Sequence, residues 1–198
     1  MRVKNADRLF EKMEEGRLYR REDLSEFSKS VDRELKQLLT AKKVRKAAPG
    51  VYYRPEMTRF GPVGPDDKEV VRAFLKTDDF LLTSLNYFNG LWVGLTQLTN
   101  EMLVYNRKRV GRFKLNGMTY RFQRPVNYPK PEEFNEEYLF VDLLNNYHEV
   151  HEPPETEKFM KSLKRKAGEL RQDELFKAAS LYGKVSANKM LRELTTGG

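Results

Sequence analysis

The chain contains no cysteine. That one absence excludes disulfides, thiolate zinc sites and cysteine nucleophiles, and it suits a reducing compartment. Long apolar runs are missing too. Nothing approaches the ~18 consecutive apolar residues of a membrane helix, and the opening MRVKNADRLFEKM lacks the apolar stretch of a secretory leader. The expectation is a cytoplasmic protein without membrane association. No glycine-rich run leads into Lys-Ser/Thr, so a phosphate-cradling loop is absent. The 2 histidines, His148 and His151, fall three apart in HEVHE beside Pro153-Pro154. A zinc-protease helix needs four-residue spacing and a third ligand. Ser84 and Ser186 have no His or Asp in a recognisable frame. Asp66, Asp67 and Lys68 are adjacent, as a metal nuclease would want, but acids at a helix start explain them more simply. Asp142 with Glu136 and Glu137 is the other weak nuclease candidate. The chain therefore reads as a non-enzyme with no metal and no cofactor.

What is present is charge, unevenly placed. The 198 residues carry 37 Lys/Arg against 29 Asp/Glu, a net +8. Residues 1–54 hold 15 basic against 9 acidic, residues 55–130 hold 12 against 7, and residues 158–198 hold 10 against 4. Residues 131–157 hold 9 acids and no base. An acidic belt thus separates basic blocks, and the first block is a candidate for phosphate contact.

Apolar spacing organises that block. Ala6, Leu9, Phe10 and Met13 predict a helix with Asn5 as its cap and Gly16 as its stop. RLYR, with Tyr19, reads as a connector. REDLSEF predicts a small second helix with Leu24 and Phe27 inward. Ser28 or Ser30 then caps a third helix through Val31, Leu35, Leu38 and Leu39, ending at Lys42 and Lys43, where cations complement the helix dipole. KVRKA, Ala48-Pro49-Gly50 and VYYRP predict a β-hairpin, because Pro presets the first central turn position and Gly accepts the positive φ of the second. Three short helices and a ribbon give the order of a winged helix-turn-helix over residues 1–55. RFGPVGPDD, with its repeated Gly and Pro, supplies the linker, set at 56–66.

Residues 67–198 are expected to form a second, mixed α/β domain with a helical C-terminal region, making the chain α+β. Val70, Val71, Phe74 and Leu75 mark a helix capped by Asp66. FLLTSL is either a strand or a helix start, and NYFNGLWVGL, with the single Trp, is expected to pack on the core. Asn116-Gly117 between VGRFKL and MTYRFQRP is the clearest hairpin signal in the chain. Phe113, Leu115, Tyr120 and Phe122 would share its buried face, with Arg112, Lys114, Thr119, Arg121 and Gln123 opposite. EEYLFVDLLNNY, KFMKSLKRKAGEL, DELFKAASLY and SANKMLREL read as helices.

The third helix carries the functional argument. At roughly 100° per residue, Leu35, Leu38 and Leu39 fall near Val31, whereas Lys29, Arg33, Lys36, Gln37 and Thr40 lie opposite, with Asp32 toward the edge. That division suits a recognition helix: one side glued to the bundle, the other offering donors to base edges and phosphates of duplex DNA. Ser30 joins it at the helix start. Arg45, Lys46, Tyr52 and Arg54 on the ribbon would add contacts beside it.

The run DLSEFSKSVDRELKQLLTAKKVRKAAPGVYYRP, with Gly50, Val51 and Tyr52 in the ribbon and Pro55 after it, resembles the N-terminal winged helix of the AbiEi-type antitoxins. These are transcriptional regulators of type IV toxin–antitoxin systems. The resemblance continues through FLLTSLNYFNGLWVGLTQ, the Asn-Gly hairpin and YLFVDLLNN. It implies that the winged helix binds operator DNA and represses its own operon. It also implies that the second domain counters a nucleotidyltransferase-type toxin, which in that family need not involve a stable complex. Arg107, Lys108, Arg109, Arg112, Lys114, Arg121 and Arg124 are the candidates for that second activity. A solitary winged-helix regulator or a non-catalytic protein-interaction module is the alternative.

Overall fold

The structure is a computed structural model that describes residues 5–96, 98–150 and 156–196. The architecture is α+β. The chain divides into two compact units, Met1–Asp78 with Phe113–Thr119, and Asp79–Arg112 with Tyr120–Gly198.

In the first unit α1 (Asn5–Lys12) buries Ala6 and Leu9, and α3 (Val31–Thr40) buries Val31, Leu35 and Leu38. These residues form one core with Met13, Tyr19, Leu24 and Val44, as their helical spacing requires. The expected second helix shrinks to α2 (Arg21–Leu24), and Phe27 lies outside the core, 46% exposed. The RLYR segment is not a connector. It forms strand β1 (Leu18–Arg20), antiparallel to β3 (Val51–Tyr53), which also pairs with β2 (Arg45–Ala48), giving the order β1-β3-β2. The Pro49-Gly50 turn forms where expected, with Gly50 at φ 72°.

The expected linker is itself a hairpin, β4 (Glu56–Thr58) with β5 (Gly61–Val63). The Thr58 hydroxyl supports its turn by accepting from Phe60 N and donating to the Gly61 carbonyl. Side-chain support of this kind lets a proline-bearing segment pair. The helix α4 (Asp67–Leu75) follows, with the Asp66 carboxylate accepting from Lys68 N as an N-cap. The first compact unit runs on through α4 to Asp78 and takes in residues 113–119. Three contacts explain the grouping: Phe74 of α4 meets Phe113 at 5.1 Å, Asn116 N donates to the Ala47 carbonyl at 2.7 Å, and Tyr53 Oη donates to Asn116 Oδ1 at 2.9 Å.

In the second unit FLLTSL opens as strand β6 (Phe80–Thr83), paired antiparallel with β7 (Glu101–Asn106). With β8 (Gly111–Leu115) and β9 (Met118–Gln123) the sheet order is β6-β7-β9-β8. Asn116 (φ 47°) and Gly117 (φ 86°) adopt the paired positive φ of a type I′ turn. Leu115, Tyr120 and Phe122 are buried as the alternation requires. The helices are α5 (Glu136–Asn145), α6 (Thr156–Glu169), α7 (Gln172–Tyr182) and α8 (Val185–Thr196), with α5 packed on α7 and α8. NYFNGLWVGL packs on the core as expected through Phe88, Leu91, Val93 and Leu95, whereas its Trp92 is 79% exposed. Among the described residues no helix is long and apolar enough to cross a membrane.

Gly117→Ala is expected to lower stability by about 1–2 kcal/mol in urea unfolding, through positive-φ strain, because its Cβ would meet nothing within 4 Å. Gly90→Ala, equally uncrowded and at ordinary φ, should be neutral or slightly stabilising. Equal effects at the two sites would show that φ is not the cause.

Candidate nucleic-acid interface

The outward face of α3 is set by what the inward face buries. Val31, Leu35 and Leu38 are each at most 3% exposed, which fixes the rotation of the helix against the first core. Lys29, Arg33, Lys36, Gln37 and Thr40 are then exposed, and Ser30 half-buried. Lys29, Arg33, Lys36 and Gln37 have no side-chain partner among the described residues. Thr40 Oγ1 donates to the Lys36 carbonyl. Arg45 and Lys46, on β2 immediately after α3, are likewise exposed and without a partner among the described residues.

The two acids of α3 are disposed of differently. Asp32, at the edge of the cationic face, accepts a forked pair from Arg21 at 2.8 and 2.6 Å. The Arg21 hydrogen bond and charge hold the Asp32 carboxyl below the usual carboxylate range. Glu34 turns inward and is 2% exposed, so its carboxylate is not among the groups that α3 presents at its surface.

Around the start of α3 lies a cleft of about 400 Å³ lined by Arg21, Ser25, Ser28, Lys29, Ser30, Val31, Asp32 and Arg33, in which the Asp32 carboxylate is taken up by Arg21. Ser30 occupies the N-cap without a side-chain cap bond, so the first-turn N–H groups have no capping side chain. Cations, hydroxyls and uncapped N–H groups together make an anion-receptive surface. Arg21, Ser25 and Ser28 escaped the sequence reading, because only the α2–α3 turn brings them beside Lys29 and Arg33.

Two ribbon residues are less available than expected. Tyr52 is half-buried against the first core. Arg54 pairs with Glu15 and lies over the Phe10 ring at 4.3 Å, so its guanidinium is committed within the fold.

The second basic set does not form a free surface. Arg121 is largely buried, ion-paired with Glu101 and Glu149, and burial lowers its affinity for the proton. Arg112 donates to Glu101 at 2.7 Å. Arg107 pairs with Asp79 and lies over Tyr128. Lys108, Arg109, Lys114 and Arg124 are exposed.

The nuclease candidates are not assembled either. Glu136 pairs with Lys166, while Glu137 receives both arms of Arg171, which hold its carboxyl below the usual range. His148 is exposed, and His151, Pro153 and Pro154 lie outside the described residues. Among the described residues no cluster of three metal-ligating side chains occurs. Asp142 stands alone in the interior, with Oδ1 accepting from Tyr105 Oη at 2.8 Å and from Asn146 Nδ2 at 3.1 Å. Its Oδ2 is buried without a hydrogen bond among the described residues. Burial pushes this carboxyl up to about 7, against the pull of the Tyr105 bond and of nearby Lys184.

No protein-family model and no curated protein matches the chain. Among solved structures, that of the RV2827C protein from Mycobacterium tuberculosis is similar in fold. Its TM-score is 0.59 at 12% identity, over 96% of this chain and 74% of that one. At that identity the likeness concerns the fold.

Because Asp142 takes up its proton more readily folded than unfolded, it contributes a loss of stability as pH rises from its ordinary value near 4 toward about 7. Asp142→Asn should therefore gain on the wild type by about 3 kcal/mol more at pH 8 than at pH 5. Chemical denaturation at the two pH values checks this, and parallel pH profiles would refute it.

Proposed function

We propose that the first unit is a winged helix-turn-helix that binds duplex DNA, with α3 in the major groove and the β2–β3 ribbon as the wing. On this reading the chain is a DNA-binding antitoxin of the AbiEi type. It represses its own operon and counters a nucleotidyltransferase-type toxin without needing a stable complex with it. Its work is binding and not catalysis.

One observation carries the DNA-binding reading. Lys29, Arg33, Lys36 and Gln37 stand exposed on the side of α3 opposite Val31, Leu35 and Leu38, with no partner among the described residues. Elsewhere exposed arginines such as Arg112 and Arg165 are drawn into ion pairs. Here the one forked pair, Arg21–Asp32, removes the acid that would repel phosphate. Arg and Gln suit forked bonds to guanine and adenine edges, and Lys suits phosphate. The cleft at the start of α3, where Arg21 neutralises Asp32 and Lys29, Arg33 and three serines remain, suits a backbone phosphate flanking the groove. Arg45 and Lys46 extend the same charge onto the ribbon. The antitoxin part of the proposal rests on the sequence resemblance.

A gel shift on the DNA upstream of the gene, with random duplex as competitor, tests this reading. Specific binding is expected at physiological salt, with an affinity that falls steeply as salt rises. The double variant Arg33→Ala/Lys36→Ala should lose specific binding while unfolding at the wild-type temperature, since neither side chain is paired or buried. Residual binding should show a salt slope smaller by about 1, from the phosphate contact of Lys36. Wild-type affinity in the double variant would refute the recognition-helix assignment. Equal binding to upstream and random duplex would favour the protein-interaction module.

A further inference from the structure

The second unit presents its one tryptophan where folding gives no reason for it. Trp92 is the only Trp of the chain. It is 79% exposed and sits at φ 57°, the left-handed region, closing the short 3-10 turn Leu85–Leu91 with its N–H on the Asn89 carbonyl. Gly or Asn fills such a cap at least cost. A bulky aromatic there is strained, and by pointing outward it forgoes the burial that normally stabilises an indole. Strain at an exposed aromatic points to use.

Its surroundings show what use. Gly90 and Gly94, two residues to either side, are both exposed, and a Cβ at Gly90 would meet nothing within 4 Å. No side chain at either position covers the ring. The Trp92 carbonyl accepts from Arg165 Nη2 at 3.2 Å, which places the residue beside α6. That helix carries five cations, Lys158, Lys161, Lys164, Arg165 and Lys166, against Glu157 and Glu169. Lys161 lies one turn from Arg165, on the same side of the helix. Glu169 and Glu157 pair with Arg165 and Lys161, while exposed Lys164 has no partner among the described residues. An open indole beside a net cationic helix offers a π-face and positive charge together, the pair of features that a single-stranded polyanion uses.

We propose that Trp92 and the adjoining face of α6 form a binding surface for single-stranded nucleic acid. An unpaired base stacks on the indole and Lys164 holds a neighbouring phosphate, joined by Arg165 and Lys161 as they exchange their exposed pairs with Glu169 and Glu157, which cost little to open. Base–aromatic stacking joined to a positive track is the general mode of single-strand recognition. A duplex, with its bases already stacked, cannot present a base face to the ring. This surface is independent of α3.

The single indole makes the test direct. Trp92 emission is followed while oligothymidylate or oligouridylate of about twelve nucleotides is added to the full chain, with inorganic polyphosphate as a base-free polyanion. Saturable quenching by the oligonucleotides and not by polyphosphate is expected, and the two oligonucleotides separate DNA from RNA preference. By fluorescence anisotropy of labelled oligonucleotide, Trp92→Ala should bind about tenfold more weakly, and Trp92→Phe should retain most of the affinity. The Arg33→Ala/Lys36→Ala variant should keep the quenching, so loss of duplex binding and loss of this site are distinguishable. Unchanged emission at saturating oligonucleotide, equal quenching by polyphosphate, wild-type affinity in Trp92→Ala, or loss of quenching in the α3 variant would each overturn the proposal.

Discussion

The rotation of α3 about its own axis is the constraint on which the rest depends. It is set by apolar burial: Val31, Leu35 and Leu38 enter a core built with Leu9, Met13, Tyr19 and Leu24. Each such side chain contributes roughly 1.5–3 kcal/mol when fully buried. A turn of the helix large enough to hide Arg33 and Lys36 would expose all three. The cationic face therefore stays outside without any electrostatic partner to hold it there. The Arg21–Asp32 fork is exposed and adds little stability. Its consequence is in the local field, where it cancels the one outward acid.

The same packing logic sets apart the two basic regions that look alike in sequence. On α3 the cations project from a helix whose one exposed acid, Asp32, is already taken by Arg21. On the Asn-Gly hairpin, Arg112 and Arg121 meet Glu101, and Arg121 also meets Glu149. A count of charges treats these regions as equal, whereas the fold leaves one unpaired among the described residues and draws Arg107, Arg112 and Arg121 of the other into ion pairs. The interior around Asp142 follows a third pattern. A carboxyl removed from water, with one oxygen bonded by Tyr105 and Asn146, holds its proton near neutrality, so the second unit is responsive to pH.

Much of the fold was legible because its signals are local. The α3 periodicity, the Pro49-Gly50 turn, the Asn116-Gly117 hairpin and the helices α5 to α8 each declare themselves within about ten residues. What was hidden depends on distant partners. Strand β1 is three residues long and is a strand only because Val51–Tyr53 pairs with it. The β4–β5 hairpin was masked by its glycines and prolines, and its turn depends on one Thr58 hydroxyl. Glu34 lies on the buried arc of α3 and was overshadowed by its leucine neighbours. Of the proposed interface, the exposure of Lys29, Arg33, Lys36, Gln37, Arg45 and Lys46 was readable from spacing. Arg54 was not, because Glu15 and Phe10 capture it across the fold. Trp92 departs from the packing of its segment, since hydrophobicity alone argues for burial and only coordinates reveal the strained cap.

The central claim is that one side of α3 is free in the isolated protein and covered when duplex DNA binds. Lysine-labelling footprinting by mass spectrometry measures this directly, residue by residue, with and without a duplex from upstream of the gene. Lys29, Lys36 and Lys46 should label readily in the free protein and become protected on the duplex, while Lys130 labels equally in both. Slow labelling of Lys29 and Lys36 in the free protein, or labelling unchanged by bound duplex, would contradict the account.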